Sequence, residues 1–236
     1  MKEKPAIFLI FVVLMPLLSC TAQIKGSLER SGQADLHISA SLEPGITRFI
    51  RTLSAAAGTA HQGPILNGPA ISKSMAAAPG IASVFLNNTT AEKIEGPVKI
   101  SRIGDFLKHG EAAGFIGFEQ EAAGRGRLTI SINRNSAPDI LTFISPDIIG
   151  YLEALMAPIV TGENLTNAEY LGLIFAFYGK NIADEISKAT IRASIDFPAA
   201  VQSMRGGTSS GRRAEFAVPL VDILVLEAPL QYEVIW

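Results

Sequence analysis

Cysteine occurs once in this chain, at position 20, so no internal disulfide can form and no cysteine-rich metal site is available. Charge is scarce as well: Asp, Glu, Lys and Arg make up 18% of the 236 residues. A net charge of -2 and a pI near 6.0 give no basic field, which excludes a nucleic-acid partner held mainly through phosphate contacts. Histidine is limited to His37, His61 and His109, none followed three or four residues on by a second ligand, so no metal is assigned and no cofactor is expected. No glycine-rich loop has phosphate-binding spacing, and no low-complexity tract, charge block or internal period marks a solenoid or a clear linker. Long apolar runs are absent too. The stretch from Ile140 to Val160 comes nearest, but Pro146, Asp147, Glu153 and Pro158 interrupt it, so no later segment reads as a transmembrane helix.

What is present is apolar. Hydrophobic residues make up 48% of the chain and mean hydropathy is +0.30, an excess that needs a separate home. It begins at the N-terminus, where Lys2 and Lys4 precede the uncharged residues Ala6 to Leu18. A bilayer span needs about 20 apolar residues, so this shorter run with a basic start describes a secretory signal over residues 1-19. Its end reads Leu17-Leu18-Ser19-Cys20. This resembles the lipobox of bacterial lipoproteins, and the sole cysteine falls where that motif requires one. The resemblance implies that Cys20 is diacylated, becomes the first mature residue, and holds the protein to a membrane of the cell envelope by lipid. Residues 20-23 are then an acylated N-terminus and short tether, and residues 24-236 a single domain.

Within that domain Ala34, Leu36, Ile38, Ala40 and Leu42 alternate with Asp35, His37, Ser39 and Ser41, the period of a half-buried strand, and Ser31-Gly32 can turn a hairpin back from Leu28. Pro44 suits a helix start, with Ile46, Phe49, Ile50, Leu53 and Ala57 at helical spacing and Gly58 to stop it. A stretch rich in Pro and Gly from 63 to 80 holds at most one short helix, near Ile71 to Ala78. Strands are expected at 81-86, 98-103, 115-119 and 128-134. Ser145-Pro146-Asp147 then opens a helix to about Ala157, and the capping box Thr166-Asn167-Ala168-Glu169 opens a second, continuing to about Lys188. Period two returns at Ile191 to Phe197, at Ala214 to Val218 and at Leu230 to Trp236. Such segregation predicts an α+β fold, a largely antiparallel sheet with a central helical pair inserted between N- and C-terminal strands.

The closing segment adds a second resemblance. Phe197-Pro198 with Val201, then Gly206-Gly207, Phe216, Pro219-Leu220 and a final strand ending in Trp236 is similar to the end of LppM-type domains of bacterial lipoproteins. That likeness implies an α/β fold akin to lipid-binding proteins.

Chemistry is thin. Gly207-Thr208-Ser209-Ser210-Gly211 formally matches a nucleophile elbow, but its flanks alternate like strands and every histidine precedes Ser209, so a Gly/Ser-rich hairpin loop is the better reading. Asp184 and Glu185 are adjacent and point apart on a helix, so they form no acid/base pair. An enzyme is the least supported class.

Two binding features remain. From Tyr170 to Tyr178 the helix carries no charge on any face, so it must be enclosed or touch lipid. Leu152, Leu155, Met156, Leu171, Ile174, Phe175, Phe177 and Tyr178, with Ile148, can line an acyl-chain pocket, lie on a membrane surface, or simply pack against the sheet. Arg205, Arg212 and Arg213 flank one loop, and Arg125 and Arg127 another glycine; either set can meet anionic head groups or remain solvated. The expected partners are therefore the membrane, a lipid or other hydrophobic small molecule, and another envelope protein.

Overall fold

Alternating apolar residues bring the first two strands together. In a computed structural model, which describes residues 21-56, 63-108, 116-121, 124-136, 159 and 162-236, β1 (Thr21–Leu28) pairs antiparallel with β2 (Ala34–Ser41). Gly32, at φ 80, sits in the hairpin turn, closed by the Glu29 N–H donating to Gln33 O at 2.8 Å. There follow α1 (Pro44–Ala56), α2 (Gly68–Ala76), β3 (Ile81–Val84), β4 (Asn87–Thr90), β5 (Lys93–Ile100), α3 (Ile103–Lys108), β6 (Ile116–Gln120) and β7 (Gly126–Ile132). After them come α4 (Asn167–Tyr178), α5 (Lys180–Lys188), β8 (Thr190–Asp196), β9 (Ser203–Arg205), β10 (Thr208–Ser210), β11 (Arg213–Pro219), α6 (Leu220–Val225) and β12 (Leu230–Ile235).

The strands form two sheets, in an α+β fold that is mostly antiparallel as expected. The larger has the order β10-β11-β8-β1-β2-β5-β3, with β4 also paired to β5; the smaller has the order β6-β7-β12-β9. One pairing breaks the antiparallel pattern. β1 lies parallel to β8 in the register Thr21 to Thr190 through Ser27 to Asp196, a pairing between strands far apart in the sequence.

Each sheet has one apolar face. Ala22, Leu28, Ala34, Ile38, Ala40, Ile94, Val98, Ile100, Ile191 and Ala214 are buried, while Lys25, Asp35, His37, Lys99, Arg192 and Glu215 between them are exposed. In the smaller sheet Phe118, Leu128, Val234 and Met204 make one cross-strand row and Ile116, Ile130 and Tyr232 another. The Phe216 and Tyr232 rings, one from each sheet, meet edge to face at 5.7 Å. The Phe197 and Trp236 rings lie 4.6 Å apart and tilted, and Phe118, Leu128, Ile130, Met204 and Phe216 pack against the same core that buries them.

The elements α1, α5 and α6 join the larger sheet at a single end. Thr21, Ser41, Lys93, Thr190 and Pro219 share one cross-strand row there. α1 leaves that row at Pro44, α5 enters it at Lys188 and α6 leaves it at Leu220, whose N–H donates to Ala189 O at 2.9 Å. β1 begins at Thr21, inside the stretch expected to be a tether, and Ala22 is already 1% exposed.

Candidate functional site

The second central helix starts as its sequence dictates. Thr166 Oγ1 accepts from the Glu169 N–H at 3.2 Å and Glu169 Oε2 accepts from the Thr166 N–H at 2.8 Å, so both capping-box bonds exist. The Thr166 N–H and hydroxyl both donate to Glu169 Oε2 and hold its carboxyl below the usual range. The helix does not run unbroken to Lys188. Gly179, at φ 87, interrupts it, and because L side chains rarely adopt that conformation the chain divides into α4 and α5 at this residue.

α4 buries one stripe. Tyr170 and Ile174, four residues apart, are buried, Leu171 and Tyr178 are half-buried, and Tyr178 meets Phe49 of α1 edge to face at 4.6 Å. Burial pushes the Tyr170 phenol well above the usual tyrosine range. The rest of the uncharged surface is open: Leu173 is 42%, Phe175 55% and Phe177 76% exposed. The structure therefore brings Ile174 and Tyr178 together in the core and turns Phe175 and Phe177 outward. Leu152, Leu155, Met156, Ile148 and Cys20 lie outside the described residues.

Four of the arginines that flank the two loops, Arg125, Arg127, Arg212 and Arg213, make contacts within the chain. Arg213 makes a two-bond fork with Asp196, both bonds 2.9 Å, at the end of β8 opposite Thr190. The Arg213 hydrogen bond lowers the Asp196 carboxyl from its usual range. Arg212 Nε donates to Phe197 O at 2.7 Å, while Arg205 is exposed on β9 opposite Glu233. Arg125 pairs with Glu121, and Arg127 with Glu233. Ser209 lies in β10 opposite Ala214, exposed in a strand-to-strand hairpin, without the helix that a nucleophile elbow needs. His37 is exposed on the polar face of the sheet, and His61 and His109 lie outside the described residues.

Two features escaped the sequence reading. Arg134 Nε donates to Leu226 O at 3.0 Å, Nη2 to Val225 O at 3.1 Å and Nη1 to Glu163 O at 2.7 Å, tying the end of α6 to the approach of α4. The residue whose carbonyl it holds, Leu226, is in the left-handed conformation at φ 48. The second is a cleft of about 720 Å³ beside the first turns of α1, lined in part by Thr47, Arg48 and Arg51. A smaller cleft, about 480 Å³, adjoins Arg134 and Glu227. None of the α4 residues expected to form a pocket lines either one. Among the described residues no three His, Cys, Asp or Glu side chains cluster as metal ligands, and no helix is long and apolar enough to cross a membrane.

No protein-family description matches the chain, and no curated protein matches it. Among solved structures it is similar to the NMR structure of the folded domain of Mycobacterium tuberculosis LppM, with a TM-score of 0.38 and 13% identity over 91% of this chain and 87% of that one.

Proposed function

We propose that the protein is a membrane-anchored bacterial envelope lipoprotein, a non-catalytic module that binds a lipid or another hydrophobic ligand through α4. The observation that supports this reading most is the open apolar surface of Leu173, Phe175 and Phe177 on a helix with no charge from Tyr170 to Tyr178. An ordinary surface helix of a soluble domain turns polar residues outward, and a contiguous apolar patch marks a contact with a membrane, a ligand or another protein. The sequence supplies the setting, since the lipobox ending in Cys20 directs the domain to a membrane surface.

A second reading uses the same surface. In it the protein is a structural lipoprotein whose buried stripe, Tyr170 and Ile174, closes the core and whose open stripe binds another envelope protein. Lipid that copurifies with protein lacking the acyl anchor supports the first reading, and clean protein supports the second. The anchor has its own test. Cys20→Ala is expected to abolish incorporation of labelled fatty acid and to leave an unprocessed precursor; unchanged labelling would reject the lipoprotein reading.

A further inference from the structure

The open side of α4 is apolar across its whole width. At about 100° per residue, Phe175, Gly172, Ala176, Leu173 and Phe177 take successive places round the helix, from the flank of half-buried Leu171 to that of buried Tyr170, and all five are exposed. A Cβ built on Gly172 would meet nothing within 4 Å, so the middle of this arc faces open space. Polar residues stand at the two ends of the helix instead: Thr166, Asn167 and Glu169 at its start, and Lys180, Asn181 and Asp184 past the break at Gly179. The uncharged stretch between them, Tyr170 to Tyr178, is about 13 Å long. The hydrocarbon core of a bilayer is about 30 Å thick, so this stretch can lie along a membrane surface but not cross it.

Two properties of the surface decide what it meets. The first is area. A fully exposed phenylalanine presents about 200 Å², so exposures of 55%, 76% and 42% at Phe175, Phe177 and Leu173 leave about 340 Å² open in all. A stable protein interface takes about 800 Å² from each partner, more than twice as much. The second is hydrogen bonding. Protein interfaces carry about one hydrogen bond per 100–200 Å², and this arc offers no side-chain donor or acceptor, because Tyr170 is buried and Tyr178 is turned to Phe49. A bilayer needs neither property: it accepts apolar side chains without hydrogen bonds and in any number.

We propose that α4 docks flat on a phospholipid bilayer, immersed to about its own axis, with Phe175 and Phe177 as flanking anchors and Gly172 and Ala176 toward the acyl chains. The depth follows from the wheel: the two rings lie on opposite flanks of the arc, so both reach lipid only when the helix sinks to about the level of its axis. Helices that lie in the membrane interface bury their apolar face by about 5–10 Å, which matches such immersion. In those helices a polar face looks to water; here the domain itself takes that place, through Tyr170, Ile174 and Tyr178. The proposal rests on the reading of α4 as the hydrophobic contact and narrows its partner from a single lipid molecule to the lipid surface.

The test reads contact with lipid from tryptophan emission. Trp236 is 0% exposed and gives the parent a constant background, and Phe175→Trp, Phe177→Trp and Phe85→Trp each add one reporter. Phe85 is the control, because it is 63% exposed but donates its N–H to Pro97 O at the edge of the larger sheet, where His37 is the next residue across on the polar face. The full chain is reconstituted into vesicles of phosphatidylcholine brominated along its acyl chains, and bromine quenches tryptophan that it touches. Relative to unbrominated vesicles, the added emission of the Phe175 and Phe177 variants should fall by about half or more, while the parent and the Phe85 variant stay unchanged. Unquenched emission in both α4 variants, or equal quenching in the Phe85 variant, overturns docking by this helix, and quenching in one α4 variant alone overturns the flat, half-immersed orientation. Uptake of a fluorescent fatty acid without vesicles keeps the two readings apart. Uptake together with unquenched α4 variants overturns bilayer docking and leaves the ligand reading in place; absence of both removes both.

Discussion

Glu185 of α5 caps α1: its carboxylate accepts from the Gly45 N–H at 3.0 Å and from the Ile46 N–H at 2.8 Å. α1 has no acidic residue in its own first turn, and Pro44 at its start has no N–H to satisfy. The negative charge that the helix dipole favours at this end therefore comes from a residue 140 positions away in the chain. The same bond pair fixes α1 against α5, beside the ring contact of Phe49 with Tyr178.

Glu185→Ala is expected to destabilise the fold by about 1-2 kcal/mol, the size of a lost cap with charge-assisted bonds. Glu185→Gln keeps one acceptor oxygen and should recover part of that loss. Urea denaturation of the three proteins checks both, and equal midpoints would show that the cap contributes nothing.

Gly126 and Trp236 form a second such contact. Each donates its N–H to the other's carbonyl, at 2.9 and 3.0 Å, and a Cβ on Gly126 would lie 2.5 Å from Trp236 Cζ2 and 2.6 Å from Glu119 O. One of those neighbours is backbone, so the strain cannot be relieved by a rotamer change alone. Gly126→Ala should cost about 1-3 kcal/mol, as overpacking of a core does. Trp236 is the sole tryptophan and is 0% exposed, so its emission should be blue-shifted in the native protein and should report the lowered unfolding midpoint directly.

These two contacts also mark where the sequence could and could not be read. Local pattern was legible: alternation from Ala34 to Leu42, the capping box at Thr166 and Glu169, and the closing strand from Leu230 all fold as their periods require. The apolar run Leu220 to Val225 gave no helical signal because every residue but Asp222 is buried, and a helix enclosed all round has no amphipathic period. The break at Gly179 was hidden inside an otherwise helical pattern, where one glycine costs only about 1 kcal/mol. Long-range partners were invisible altogether. Nothing in residues 20-30 announces the parallel pairing with β8, and nothing around Arg48 and Arg51 announces that Glu92 and Thr47 share a cleft with them. Of the arginines that sequence proximity picked out, Arg205, Arg212 and Arg213, the last two also lie beside Phe197 O and Asp196, which accept their hydrogen bonds.

The Asp196–Arg213 pair has a pH signature. The folded state holds the Asp196 carboxyl below its usual range, first through the hydrogen bond from Arg213 and then through its charge. A carboxyl lowered on folding contributes stability that is present above its unfolded pKa of about 3.9 and is lost as pH falls through the folded value. Asp196→Asn should therefore flatten the melting-temperature profile below about pH 4, leaving the profile between pH 6 and 8 nearly parallel to that of the parent. Because the pair is exposed, the difference should also shrink at high salt. An unchanged acid limb would show that the bidentate geometry is not maintained in solution.

The two stripes of α4 should respond in opposite ways to substitution. Ile174 is 3% exposed, so Ile174→Trp adds volume to the packed core and should cost about 1-3 kcal/mol. Had the helix enclosed an apolar gap at this residue, the same change would keep or raise the melting temperature while reducing lipid uptake. Phe175 and Phe177 are 55% and 76% exposed, so replacing both with serine should move stability by no more than about 0.5 kcal/mol each. On the lipid-binding reading that double variant loses most of its uptake of a fluorescent fatty acid, with folding intact. The comparison separates packing from recognition, because a purely structural helix would lose stability at Ile174 and lose nothing measurable at Phe175 and Phe177. Uptake retained in the serine variant would place the hydrophobic ligand, if one binds, away from α4 and leave the protein-interaction reading of that surface to be tested by crosslinking in the envelope.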